Sequence, residues 1–277
     1  MVLDGLDHLA TAVSVIGDGD REPAIVLPGG PCRDPEYLAD LAGIGDSRPL
    51  IVMHPRGTVS SGGLSRGWWT DAQDVGNLTR ALGLDSVDVI AHSAGTRLAL
   101  AAATQYPGLV RSMLLITPPA SWLSMSESDS AALAESQGDP FIAEAFRSML
   151  VDEPTSEREF QDSLRRHAPA GYAKWGDREK AHAKVGAMNW EAATTWFNDI
   201  PADVVARIAA ADLPPTLVIG GDQDLLTGVQ PVREYAEVVG AEVAFIRECG
   251  HYPWIEQPEA FAALAGRWLS GRGAAAQ

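Results

Sequence analysis

Ser93 sits in Val89-Ile90-Ala91-His92-Ser93-Ala94-Gly95-Thr96-Arg97-Leu98, an apolar run followed by small residues and the start of a helical pattern. This is the layout of a G-x-S-x-G strand-to-helix turn, with Ala91 at the first small position and Gly95 at the second. Small neighbours are required because the turn presses them against the adjoining strand and helix. A hydroxyl lifted on such a turn can attack a carbonyl, and the helix N-terminus favours the negative charge that develops. The serine needs a base. Among six histidines, His251 stands out on the glycine-bearing loop Glu248-Cys249-Gly250-His251-Tyr252-Pro253-Trp254, between an apolar run and a final helical segment. An imidazole there can take the Ser93 proton and return it to a leaving group. The imidazole in turn needs a carboxylate to fix its tautomer. Gly220-Gly221-Asp222-Gln223-Asp224 follows another apolar run, and both of its aspartates qualify by type and place. Acyl transfer by these groups requires no metal and no cofactor.

A tetrahedral intermediate also needs two backbone N–H donors at its oxygen. Ala94, just after the nucleophile, supplies one. Gly30 is expected to supply the other, from the Pro28-Gly29-Gly30-Pro31 loop, where Gly29 lets the backbone approach a substrate. The remaining histidines divide by position. His92 is expected to point away from the tip of the turn and to pack; His54, on a loop after a strand, is expected to line the pocket. His8, His167 and His182 are expected at the surface or in an inserted segment.

The elements that position these groups alternate between short apolar runs and helix-patterned stretches, the signature of a mostly parallel sheet with helices on both faces. The expected strands are Ala24–Leu27, Pro49–Met53, Val87–Ala91, Met113–Ile116, Thr216–Ile219 and Val243–Ile246. Helices are expected over Asp71–Leu82 and Thr96–Tyr106, after Pro258, and in helix-like form over Pro35–Ala42. Residues 120–212 contain no strong strand and include Trp122, Trp175, Trp190 and Trp196. They read as a helical cap inserted into a core of residues 1–119 and 213–277, lying over the strand ends where open α/β sheets bind ligands.

Composition bounds the partners. Lys and Arg number 21 against 37 Asp and Glu, a net charge of -16, which repels phosphate backbones and anionic membranes. The acidity serves solubility, or a site that favours cationic or neutral substrates over anionic ones. A small molecule or short peptide is the expected partner, with monomer and dimer both open. No apolar run reaches the roughly 18 to 20 residues of a membrane span, and the acidic start, Met1 to Asp7, has no apolar signal core, so a cytoplasmic location is expected. Cys32 and Cys249 fall on loops near the expected pocket and are read as free thiols. The tail Gly-Arg-Gly-Ala-Ala-Ala-Gln is expected to fray.

With these residues in hand, the chain resembles the α/β-hydrolase superfamily over nearly its whole length, including the chain order Ser, Asp, His. It is most similar to the prolyl aminopeptidases, also called proline iminopeptidases. Pro28-Gly29-Gly30-Pro31 looks like their His-Gly-Gly-Pro-Gly loop, and His54-Pro55-Arg56-Gly57-Thr58-Val59-Ser60-Ser61 like their Asp-Gln-Arg-Gly-x-Gly-x-Ser segment. The superfamily's Gly-x-x-Asp pattern selects Asp224 over Asp222. Asn189-Trp190-Glu191-Ala192-Ala193-Thr194 is similar to the Trp-Glu-Gly cap segment, whose glutamate holds a substrate's free amino group. The resemblance therefore implies that Trp190 and Glu191 bind substrate and that an amide or peptide with a free amino group is hydrolysed. Pro28, Cys32, His92 and Ala94 depart from the family pattern, so an ester, lactone or thioester is the alternative, and a non-hydrolytic lyase or cyclase a further one.

Overall fold

Strands in a sheet covered on both faces are mostly apolar, and the central strands follow this, with buried polar exceptions at Asp88, His92 and Thr216. Ala24–Leu27 (β3), Leu50–Met53 (β4) and Val87–His92 (β5) are buried at each residue, as is Thr216–Gly221 (β7). Val110–Ile116 (β6) and Glu242–Ile246 (β8) complete the parallel part. Two further strands, Val2–Asp4 (β1) and Ala10–Ile16 (β2), pair antiparallel at one edge. They escaped the sequence reading because an edge strand shows only weak alternation: Val15 is 59% exposed. The order is β1-β2-β4-β3-β5-β6-β7-β8. The computed structural model describes residues 2–4 and 10–271; His8 and residues 272–277 of the tail lie outside them.

Successive side chains of each strand enter opposite cores. Ile25, Leu27, Val89, Met113 and Leu115 meet the helices Trp68–Ala81 (α1), Gly95–Gln105 (α2) and Gln230–Val238 (α10). Val26, Ile90, Leu114 and Ile116 meet residues 37–44 and the helices Pro253–Glu256 (α11) and Pro258–Gly271 (α12). The expected helix over Pro35–Ala42 is instead two 3₁₀ turns, Pro35–Leu38 and Leu41–Asp46. Ala39, Leu41 and Ala42 have φ of 49°, 49° and 53°, which no right-handed helix admits. β6 starts at Val110, three residues before the expected Met113, and so includes Arg111. Its guanidinium binds Asp88 of β5, which Arg48 and Ser112 also reach. Burial alone would raise the Asp88 carboxyl, but hydrogen bonds from Arg111, Ser112 and Arg48 take it down to about 2.

Between β6 and β7 the regular elements are helical among the described residues: Ser121–Ser124 (α3), Ser130–Gln137 (α4), Pro140–Val151 (α5), Glu157–His167 (α6), Asp177–His182 (α7), Trp190–Thr195 (α8) and Val204–Ala209 (α9). Side-chain caps start several of them: Asp139 accepts from Phe141 N, Ser156 from Glu159 N and Asn189 from Ala192 N. No helix among the described residues is long and apolar enough to cross a membrane.

Candidate active site

Strand order places the reactive segments. The chain passes from β3 outward to β4, then returns to the other side of β3 as β5, so the loops leaving β3 and β5 diverge from a common crevice. Leu27 pairs with Ala91, which sets the Gly29-Gly30 loop beside Ser93. Ser93 has φ of 48°, a left-handed conformation costly for a residue with a side chain, of order 1–3 kcal/mol. Its surroundings hold it there. Ser93 N–H donates to Ile116 O at 2.9 Å, and Thr96 N–H and Oγ1 both donate to Ser93 O. A Cβ at position 95 would stand 2.5 Å from Leu27 O and Pro28 O, which explains the glycine. The small residue Ala91 is fully buried.

His251 Nδ1–H donates to Asp224 Oδ2 at 2.8 Å. Asp224 is itself buried and accepts from Thr227 Oγ1 at 2.7 Å and Leu226 N at 2.9 Å. Asp222 turns elsewhere, accepting from Cys249 N at 3.4 Å; geometry thus separates two aspartates that residue type left equal. With Nδ1 engaged, Nε2 is the nitrogen of His251 left for a reacting proton. His251, Ser93 and Gly30 line one cavity of ≈ 290 Å³. Among the described residues, neither the Gly30 N–H nor the Ala94 N–H donates to a protein acceptor.

His92 packs, as expected, and does more. Gly29 N–H donates to the Tyr37 hydroxyl, which donates to His92 Nδ1 at 2.9 Å, while His92 Nε2–H donates to His251 O at 3.1 Å. This buried chain ties the loop after β3, the turn after β5 and the histidine loop together. Burial keeps the His92 imidazole well below its ordinary range, with His251 acting the same way, so the ring is neutral. Glu256 secures the histidine loop from the other side, accepting from Ala173 N at 2.7 Å, Gly250 N at 3.0 Å and Tyr252 N at 3.3 Å. Burial pushes its carboxyl up to about 7, against those three donors.

The expected substrate contacts fall differently. Gly29 is a packing position: a Cβ there would meet His92 Nδ1 at 2.5 Å and Ser93 Cβ at 2.7 Å. His54 does not line the cavity; it is buried, with Nε2 and Ser14 Oγ 3.1 Å apart. Trp190 and Glu191 also lie off the cavity. Trp190 N–H caps onto Glu157 Oε2 at 2.9 Å, and Glu191 is exposed on α8. Trp196 packs in the sheet's own core beside Trp68 rather than in a core of the insert. Cys32 and Cys249 are free, buried and off the cavity, and burial pushes the Cys32 thiol up to about 12. The walls come from residues that no pattern marked: Met149, Leu164, His167 and Met188 from the insert, with Arg33 and Tyr252 from the core. Only their adjacency to Gly30 and His251 in the chain could have drawn attention to the last two.

Known proteins share this fold. The chain is 28% identical over 222 residues to a 2-hydroxymuconate semialdehyde hydrolase of Pseudomonas sp. (strain CF600), covering 76% of this chain and 71% of that protein. It is 25% identical over 285 residues to a proline iminopeptidase of Heyndrickxia coagulans, covering 91% and 92%. The crystal structure of proline iminopeptidase from Mycobacterium smegmatis superimposes with a TM-score of 0.73 at 19% identity, over 100% of this chain and 99% of that one. Residues 36–258, from the first 3₁₀ turn to the start of α12, match the model of the alpha/beta hydrolase fold family, and the chain belongs to that family.

Proposed function

We propose that this protein is a serine hydrolase that cleaves a small carboxylic ester, or a similarly activated acyl compound, through an acyl-enzyme on Ser93. The observation that carries this reading is the 2.8 Å bond from His251 Nδ1 to Asp224 in a cavity that His251 shares with Ser93 and Gly30. His251 Nε2 takes the Ser93 proton as Oγ attacks the substrate carbonyl; the oxyanion is held by Gly30 and Ala94 N–H. The imidazolium gives its proton to the leaving group, then activates water to release the acid. Each oxyanion donor is worth about 2.7–4 kcal/mol in activation energy. Ser93 and His251 are not hydrogen-bonded to each other among the described residues, a looseness common before substrate binds.

Substrate class follows from the lining. A free amino group calls for a carboxylate, yet among the described residues no Asp or Glu lines the cavity, and Glu191 stands at the surface. An ester therefore fits better than an aminoacyl peptide. A fluorophosphonate probe should label Ser93 and spare the Ser93→Ala protein. In a panel of acyl 4-nitrophenyl esters and aminoacyl arylamides, esters should turn over faster. An unlabelled, folded wild-type protein would end the serine-hydrolase reading; faster arylamide turnover would return the substrate to the peptide class.

A further inference from the structure

Among the described residues that line the cavity, Arg33 is the only arginine or lysine. Its guanidinium is firmly placed. Nη1 donates to Tyr252 Oη at 3.0 Å, Nη2 to Val185 O at 2.6 Å and Nε to Gly186 O at 3.3 Å, while Cζ lies 4.2 Å from the centre of the Tyr37 ring. Every one of these partners is neutral, and no carboxylate among the described residues pairs with it. Two buried arginines take aspartates, Arg48 binding Asp88 and Arg56 binding Asp74 in a two-bond fork, whereas half-buried Arg97 stacks on Trp122 at 4.3 Å. Arg33 is half-buried, and a guanidinium partly withdrawn from water gains from a counter-charge.

Position and donor count both point to the substrate as the source of that counter-charge. A guanidinium carries five N–H donors; three are engaged here, which leaves two, one on each Nη, the number a carboxylate takes. Arg33 N–H donates to Gly30 O at 3.3 Å, so the residue belongs to the same tight turn as the oxyanion donor. A small anion bound to Arg33 and a carbonyl held at Gly30 therefore fall within one small molecule. Stacking on Tyr37 and the two carbonyl anchors keep the fork in place before substrate arrives, which lowers the ordering cost of binding.

We propose that Arg33 binds a carboxylate of the substrate, so that the enzyme prefers acyl compounds bearing a free carboxylate besides the scissile carbonyl. This rests on the serine-hydrolase reading and reverses the preference for cationic or neutral substrates that net charge suggested. Charge summed over the surface does not set the charge of a cavity.

The test compares 4-nitrophenyl hydrogen glutarate and adipate with their neutral methyl esters. Wild-type kcat/KM should favour the acids, and Arg33→Gln should lower the acid-to-neutral ratio by about 100-fold. Arg33→Lys, which keeps charge but loses the planar fork, should recover part of it. Equal wild-type rates on acid and neutral ester, with Ser93 labelled by fluorophosphonate, would overturn the carboxylate site and leave the hydrolase standing. So would an unchanged ratio in Arg33→Gln, which marks Arg33 as a strap between loop and insert. If neither ester turns over and Ser93 is not labelled, calorimetry decides. Monomethyl glutarate or adipate binding to wild type and not to Arg33→Gln supports the site; equal or absent binding removes it.

Discussion

The floor and the roof of the cavity follow opposite rules. Below, Ser93 is pinned at φ of 48°, and the Gly29–Tyr37–His92–His251 chain uses both nitrogens of a buried ring. Above, Met149, Leu164 and Met188 are half-buried side chains on or beside helices α5, α6 and α8, whose other faces carry exposed residues such as Leu150 and Arg165. A floor held by backbone and buried polar bonds tolerates almost no displacement, since a shift near 1 Å can cost about 100-fold in rate. A roof of unbranched or flexible side chains can be repacked without disturbing the attacking atoms. On the proposed function this separates chemistry from substrate choice, with Arg33 standing where the two meet.

The sharpest way to break this contrast is a methyl group in the floor. Gly29→Ala places a Cβ 2.5 Å from His92 Nδ1 and 2.7 Å from Ser93 Cβ, so ester hydrolysis should fall by at least about 100-fold. Activity near wild type in this variant would show that the floor yields as the roof does.

The second prediction concerns Glu256, which joins the histidine loop to the insert. Its folded carboxyl, near 7, lies above the ordinary value of 4.5. Below 4.5 both folded and unfolded chains hold the proton, and the contribution is fully present. As pH rises to 7 the unfolded chain releases its proton first, so stability declines across that window by up to roughly 3 kcal/mol. Urea denaturation of wild type from pH 4.5 to 7.5 should show this decline, and Glu256→Gln should flatten it. Parallel curves for the two proteins would remove Glu256 from the account.

The smallest effects belong to the roof. Leu164→Ala should raise KM for a neutral ester by less than about tenfold with kcat nearly kept, because uniform binding is lost and transition-state contacts are not. Glu191→Ala, on an exposed turn outside the cavity, should change neither constant by more than about twofold. A large loss of arylamide turnover in the Glu191 variant alone would revive the amine-binding role that the family likeness implies.

Much of the floor was legible before any coordinates, because its signals are local. A strand buried on both faces is a mostly apolar run, broken in β5 only where Asp88 and His92 find partners, and a turn that forces a serine to positive φ must be flanked by small residues, as Ala91 and Gly95 show. The edge strands β1 and β2 were not legible, since half-exposed strands carry weak alternation. The roof was hardly legible at all: Met149, Leu164 and Met188 sit in ordinary helical composition.

By itself, then, the sequence determined the α/β plan, the turn that lifts Ser93, and the chain order of Ser93, the two aspartates and His251. Backbone chemistry and periodic burial act over a few residues, and a few residues suffice to read them. Only the tertiary structure chose Asp224 over Asp222 by contact, removed His54, Trp190 and Glu191 from the cavity wall, and brought Arg33 into it. Which way a side chain faces depends on what packs against it, and those neighbours, such as Gly30, Leu164 and His251, are separated by most of the chain.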